Sequence, residues 1–110
     1  MENSKGPVWV IGEQVDGQVV TVTLQLIGQA RKLASQLGTT VEVVLLGDNI
    51  EEQVRNIFSF GADRVYLGNA PVLDQYQSEI YTDIIVKLAK EKEPEIMLLG
   101  STHMGRELAP

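Results

Sequence analysis

Four short apolar runs alternate with segments of helical periodicity along the chain, and this order constrains the fold more than any other feature. The runs are rich in β-branched and aromatic residues and show little polar alternation, which is typical of strands buried on both faces of a parallel sheet. Each run is followed directly by a glycine that ends it. The runs comprise residues 8–11, 41–46, 64–67 and 96–99.

Helical periodicity is clearest between the first two runs. Apolar residues recur there every three or four positions, with polar residues opposite, so we predict an amphipathic helix. Thr21 or Thr23 is its predicted N-cap, and Gly38 stands where a helix favours a left-handed terminating residue. The predicted buried stripe consists of Leu26, Ile27, Ala30, Leu33, Ala34 and Leu37.

A second helix is predicted between the second and third runs. Asn49 and Glu52 have the spacing of a capping box, in which each side chain accepts a hydrogen bond from the other residue's backbone. Gly61 is predicted to end this helix. Its buried stripe is predicted to contain Ile50, Val54, Ile57 and Phe58.

A third helix is predicted between the last two runs, with Asp74 as its cap and Pro94 preventing its continuation. Tyr76 and Tyr81 are expected to be half-buried on it, whereas Trp9, in the first run, is expected in the core. The predicted stripe consists of Ile80, Tyr81, Ile84, Ile85, Leu88 and Ala89.

The order strand, helix, repeated three times and closed by a strand, predicts an α/β doubly wound fold. Each crossover is long enough for a right-handed βαβ unit, so we expect a parallel sheet with helices on both faces. Residues 14–20, before the first helix, are predicted to form a loop. The chain has the size of one domain, with residues 1–7 as a flexible lead-in and residues 8–110 as the folded part.

The charge balance argues against nucleic-acid and anionic membrane partners. The formal net charge is −6, and the nine Lys and Arg residues are scattered rather than clustered. The chain has no cysteine, which removes disulfides and thiolate chemistry and is typical of a cytoplasmic protein. No apolar run approaches the roughly 20 residues of a membrane span.

Catalytic and metal-binding constellations have little support. The single histidine, His103, lies near Ser101, but no acid at a recognisable spacing completes a Ser-His-Asp set. One histidine and no cysteine leave only carboxylates as metal ligands, and the chain has no EF-hand pattern. We therefore expect a protein without catalytic residues of its own.

Nucleotide binding is more credible, because loops at the carboxyl edge of a parallel sheet offer backbone donors to anions. Three loops end there: Gly12-Glu13, Gly47-Asp48 and residues 100–105. The last has Walker-like glycine spacing, but Arg106-Glu107 replaces the Lys-Ser/Thr pair, so it is not a P-loop. The candidate cofactor-binding residues are Gly100, Ser101, Thr102, Gly105 and Arg106. A stand-alone adenine-nucleotide binder of the universal-stress type is the alternative function.

Several segments together resemble the N-terminal domain of the electron transfer flavoprotein alpha subunit. The resemblance runs in order through residues 10–13, 30–34 and 44–47 and covers essentially the whole chain. Its most specific pieces are Gly-Ala-Asp-Arg-Val-Tyr at 61–66 and Thr-x-x-Gly-Arg-Glu-Leu-Ala-Pro at 102–110.

The resemblance implies a role that composition and spacing do not. In this family the alpha subunit pairs with a beta subunit, and the heterodimer carries electrons between acyl-CoA-type dehydrogenases and another redox partner. FAD is held mainly by a separate C-terminal domain of alpha. The N-terminal domain, with a fold like that of the nucleotide alpha hydrolases and universal stress proteins, acts chiefly as a scaffold against beta.

Because the chain stops at Pro110, the resemblance also implies an incomplete domain, truncated at its C-terminus and without the FAD-binding domain. We therefore expect this chain alone to bind no FAD. A sheet that lacks its last strands exposes an edge or an apolar face, so self-association is a further expectation.

Overall fold

The computed structural model describes residues 6–15, 18–73 and 78–99, and the structural statements that follow concern these residues. They form six strands, three α-helices and one 3₁₀ turn. In chain order, the elements are β1 (Val8–Ile11), β2 (Gln14–Val15), β3 (Gln18–Val19), α1 (Thr21–Leu37), β4 (Val41–Gly47), α2 (Gln53–Ser59), β5 (Arg64–Asn69), the 3₁₀ turn (Pro71–Leu73), α3 (Ser78–Lys92) and β6 (Ile96–Leu98).

The main sheet is parallel, as the sequence predicts, and has the strand order β5-β4-β1-β6. Val8 of β1 lies opposite Val41 of β4 on one side and Ile96 of β6 on the other. The chain winds outward from β1 to β5 and then crosses back to β6. Because parallel crossovers are right-handed, this reversal places α3 on the face opposite to α1 and α2.

Two hydrophobic clusters, one on each face, hold the helices to the sheet. Successive strand side chains point to opposite faces, so Val8 and Val10 pack with α1 and α2, whereas Trp9 and Ile11 pack with α3. All four side chains are buried. The predicted doubly wound arrangement, with helices covering both faces, is confirmed.

Helix α1 confirms the predicted termination but not the predicted cap. Gly38 has φ 74° and its N–H donates to the Ala34 carbonyl, as expected of a left-handed terminating glycine. The N-cap is Val20, which has no side chain to cap with. Thr23 lies inside the helix and is fully buried, and its hydroxyl accepts a hydrogen bond from the Glu13 N–H at 2.9 Å. The prediction of Thr21 or Thr23 as N-cap is therefore wrong.

The predicted capping box before α2 is also wrong. The helix begins at Gln53, and its N-cap, Glu52, makes no side-chain capping bond. Asn49 adopts φ 58°, and its N–H donates to Asn69 Oδ1 at 2.8 Å instead. An asparagine tolerates this left-handed conformation, so residues 48–52 turn before the helix starts.

Within α2, Ile57 is buried as predicted, but Phe58 is 45% exposed. Each residue of an α-helix is rotated by about 100° from the one before it. In a helix of only seven residues that presents Ile57 to the sheet, the next side chain consequently points away from it.

The stretch predicted as a loop before α1 contains a short antiparallel ribbon, β2 and β3. The Val19 N–H donates to Gln53 Oε1 at 3.2 Å, which joins the ribbon to the start of α2. The predicted Asp16-Gly17 turn lies outside the described residues.

Helix α3 packs Ile85 and Tyr81 against the sheet, in agreement with its predicted stripe. Tyr81 is buried rather than half-buried, because its hydroxyl donates to the Leu73 carbonyl at 2.6 Å and thus has a partner away from water. The predicted cap Asp74 and Tyr76 lie outside the described residues. None of the described helices is long and apolar enough to cross a membrane.

Two residues of the predicted lead-in are tied to the domain. The Thr39 hydroxyl donates to the Gly6 carbonyl at 3.0 Å, and the Glu95 N–H donates to the Pro7 carbonyl at 2.8 Å. These bonds join the residues before β1 to those just before β4 and β6. The boundary at residue 8 stays a prediction.

Asp63, in the Gly-Ala-Asp segment, has a structural role at the amino edge of the sheet. Its Oδ2 accepts a hydrogen bond from the Val41 N–H at 2.8 Å and another from Arg31 Nη1 at 2.7 Å. The backbone bond from Val41 is the largest cause and lowers the pKa of Asp63. Burial, the next cause, raises that pKa, and the hydrogen bond and charge of Arg31 lower it further. One carboxylate thus connects α1 to the starts of β4 and β5.

We expect Asp63→Asn to show this role through the pH dependence of stability. A lowered folded-state pKa stabilises the fold above the ordinary Asp pKa, and the contribution disappears as the pH falls through the folded value. Because the Asp63 side chain is 44% exposed, the loss at neutral pH should be below about 1 kcal/mol. Urea unfolding of both proteins from neutral to acidic pH measures it. A difference that stayed constant as the pH fell would show that the carboxylate charge is not involved.

Candidate functional site at the carboxyl edge of the sheet

Ligands of open parallel sheets bind beyond the carboxyl ends of the strands, so this edge is the place to look for a site. Its described part is built from the residues that follow β1, β4 and β5. The residues predicted as cofactor-binding (Gly100, Ser101, Thr102, Gly105 and Arg106) lie outside the described residues, as does His103. Their role at the edge stays a prediction.

Glu13 is the most unusual residue of the described edge. It follows β1, is only 6% exposed, and its Oε1 has no hydrogen-bond partner among the described residues. Burial raises the pKa of this carboxyl above its ordinary value, because an ionised group loses hydration there. A buried polar atom without a partner is rare and calls for an explanation.

The backbone of Glu13 is firmly held. Its N–H donates to Thr23 Oγ1 at 2.9 Å, and its carbonyl accepts from the Val20 N–H at 3.0 Å. Both partners belong to the start of α1. The Glu13 main chain is therefore fixed between β1 and the first turn of α1, which limits where its carboxyl can move.

A side chain at Gly12 would crowd β4 where β1 leaves the sheet. The Gly12 N–H donates to the Val44 carbonyl at 2.7 Å. A Cβ at Gly12 would lie 3.0 Å from Leu45 Cδ1 and 3.2 Å from the Val44 carbonyl oxygen. The chain thus stays close to β4 until it reaches Glu13.

Four backbone donors of the described edge are engaged within the protein. Besides the N–H groups of Gly12 and Glu13, the Asn49 N–H donates to the Asn69 side chain and the Ala70 N–H to the Gly47 carbonyl. An anion-binding loop needs free donors, and a buried carboxyl beside it would repel a phosphate. The geometry argues against phosphate binding by the Gly12-Glu13 and Gly47-Asp48 loops.

The described residues also contain no group of three or more His, Asp or Glu side chains that could hold a metal ion. Sequence reasoning missed both Glu13 as a buried carboxyl and Thr23 as its backbone partner. The available signal was an acidic residue directly after a wholly apolar strand, where a side chain has little access to water.

Nearly the whole chain matches one known family. Residues 8–110 match the family described as the electron transfer flavoprotein domain. The chain therefore belongs to the electron transfer flavoprotein domain family, as the resemblance in the sequence indicates.

Individual relatives agree with this assignment. The chain is 43% identical over 108 residues to the electron transfer flavoprotein subunit alpha of Thermoanaerobacterium thermosaccharolyticum, covering 98% of the chain and 33% of the relative. It is 38% identical over 103 residues to the protein of the same name from Clostridium acetobutylicum, covering 94% of the chain and 31% of the relative. It is 34% identical over 108 residues to the acryloyl-CoA reductase electron transfer subunit beta of Anaerotignum propionicum, covering 98% of the chain and 29% of the relative. The chain thus spans about a third of the length of these relatives.

Proposed function

We propose that this chain is the N-terminal scaffold and subunit-interaction domain of an electron transfer flavoprotein alpha subunit. In the proposed parent heterodimer, FAD carries electrons between dehydrogenases and a further redox partner. The single observation that carries the proposal is the match to two proteins named subunit alpha over 94–98% of the chain.

The described architecture is that expected of a scaffold. Its buried residues are almost entirely apolar, and they hold helices to both faces of the sheet. The proposal assigns no catalytic residue to this chain. It assigns the beta subunit as the direct partner, and an acyl-CoA-type dehydrogenase as a partner of the assembled heterodimer. The cytoplasmic location stays a prediction.

A flavin titration tests how the proposal assigns the cofactor. The FAD of the parent protein is proposed to be held by another domain, so the chain alone should leave the absorbance and fluorescence of added FAD unchanged. Saturable binding of one FAD per chain would contradict a scaffold role. Lysozyme of matched concentration serves as a non-binding control for inner-filter effects.

The alternative, a stand-alone adenine-nucleotide binder, is not favoured. The relatives named above are electron-transfer subunits, and four described N–H groups at the carboxyl edge already have acceptors. Calorimetric titration with ATP and AMP should therefore give no binding heat at millimolar nucleotide. A saturable binding isotherm for either nucleotide would restore the alternative.

A further inference from the structure

Strand β5 is an open edge of the main sheet. It pairs with β4 on one side, and no other described strand lies on its other side. An edge strand presents unpaired backbone groups to any further strand, and natural proteins protect such edges with charges, proline or a cover. β5 is six residues long and contains no proline, and its only charge is at its first residue, Arg64. The middle of the strand is therefore unprotected by its own sequence.

The hydrogen bonds to β4 show which backbone groups of β5 face outward. The Ala70 N–H, directly after β5, donates to the Gly47 carbonyl of β4 at 3.0 Å. In a parallel pair, every second residue of a strand turns its N–H and C=O toward a given neighbour. Counted back from position 70, the even-numbered residues of β5 bond to β4. The N–H and C=O groups of Val65, Leu67 and Asn69 therefore face the open edge.

A second copy of β5 is complementary to this edge in the antiparallel orientation. Residues that lie directly opposite each other in an antiparallel pair point to the same face of the sheet. When Tyr66 lies opposite Tyr66 of the second copy, Val65 lies opposite Leu67, and their outward backbone groups can exchange hydrogen bonds. The two Arg64 residues then lie at opposite ends of the pair, each opposite Gly68, so no like charges oppose each other directly.

The side chains that meet in this register are apolar on one face and aromatic on the other. Val65 packs on the cluster beneath α1 and α2, whereas Tyr66 packs on the cluster beneath α3. Leu67 is 36% exposed although it lies in the middle of a strand. Pairing would place Leu67 against Val65 of the second copy, and cross-strand pairs of this kind stabilise a sheet.

We propose that β5 is a self-association edge, at which a second copy of this chain binds by an antiparallel β5–β5 pair and joins the two four-stranded sheets across a twofold axis. The match of Val65 with Leu67 in both directions favours a second copy over an unrelated strand. The self-association expected from the sequence is thereby assigned to an edge whose strand is fully described. The inference rests on the geometry of β5 and does not depend on the proposed function.

Sedimentation equilibrium of the chain over a range of concentrations tests the edge. The mass should rise from that of one chain to that of two. Leu67→Lys places a charge on the edge, and Leu67→Pro removes an N–H that faces outward while sparing the bonds to β4, so each should raise the dissociation constant about tenfold or more.

Val86→Lys is the matched control, because it makes the same kind of change at a position of α3 that is 44% exposed. It should leave the dissociation constant unchanged, and circular dichroism verifies that each variant is folded. A chain that stays monomeric at every concentration would overturn the proposal. So would a dimer that Leu67→Lys and Val86→Lys weaken equally.

Disulfide formation tests the register, since the chain has no cysteine of its own. In the proposed pair, positions 65 and 67 of the two copies lie opposite each other with Cα atoms about 5.5 Å apart, within the range of a disulfide. Each position is about 7–8 Å from its own counterpart, which is too far. Oxidation of a mixture of Val65→Cys and Leu67→Cys should therefore give disulfide dimers that contain one chain of each variant. Equal yields from either variant alone would contradict the register.

Discussion

Replacing Trp9 by alanine is expected to destabilise the fold by about 3–5 kcal/mol, the usual cost of removing a large buried aromatic side chain. Trp9 is fully buried in the cluster between the sheet and α3. Its Nε1 donates to Glu42 Oε1 at 3.0 Å, and its ring lies 6.0 Å from that of Tyr66. Alanine would leave a cavity and an unpaired carboxyl oxygen at once.

Circular dichroism during urea unfolding measures this change, because Trp9 is the only tryptophan and its fluorescence is lost with it. Phe58→Ala is a matched control, since it removes an aromatic ring that is 45% exposed. We expect the control to cost much less than Trp9→Ala. An equal cost for the two variants would contradict the packing of β1 against α3.

Thr23→Val should cost about 1–3 kcal/mol, although valine has nearly the same shape. The Thr23 hydroxyl is fully buried and accepts the Glu13 N–H at 2.9 Å. Valine has no acceptor, so the buried N–H would be left without its bond. The effect should reach the candidate site directly, because this bond fixes the backbone that carries the Glu13 carboxyl.

Amide hydrogen exchange of Glu13 together with urea unfolding measures the effect of Thr23→Val. Thr21→Val, at an exposed position of the same helix, is the control and should change stability by no more than about 0.5 kcal/mol. Unchanged protection of the Glu13 amide in Thr23→Val would show that the hydroxyl is not its acceptor.

The large features of the fold were predictable because they rest on repeated patterns. The runs at 8–11 and 41–46 are apolar at every position except Glu42, which only strands covered on both faces allow. The left-handed glycine after α1 was equally clear, since Gly38 follows the last residue of the stripe. In patterns of this kind, the weak structural preferences of many residues favour the same secondary structure.

Local capping was not predictable, because tertiary contacts overrode it. Thr23 has a good capping side chain but uses it to accept the N–H of Glu13, ten residues earlier in the chain. Asn49 fits a capping box, but its backbone bonds to Asn69, twenty residues later. Neither hydrogen-bond partner can be predicted before the arrangement of the strands is known.

At the candidate site, too, the location was predictable from the sequence but the local contacts were not. The sequence identified the carboxyl edge from the order of strands and helices, but not which residue there is unusual. The burial of Glu13 depends on packing around the end of β1, and no periodic pattern reports it. Because the Glu13 carboxyl is buried at this edge, the edge is less suitable for binding an anion than its glycine-rich loops suggested.

Binding to the beta subunit tests the central claim most directly. The chain and a purified beta subunit from the same organism are mixed in micromolar amounts and followed by sedimentation velocity, with the beta subunit alone and the chain alone as references. The proposed scaffold role predicts a one-to-one complex that sediments faster than either component. If the two sediment independently even at high concentration, this chain is not a subunit-interaction domain and the proposed function is wrong.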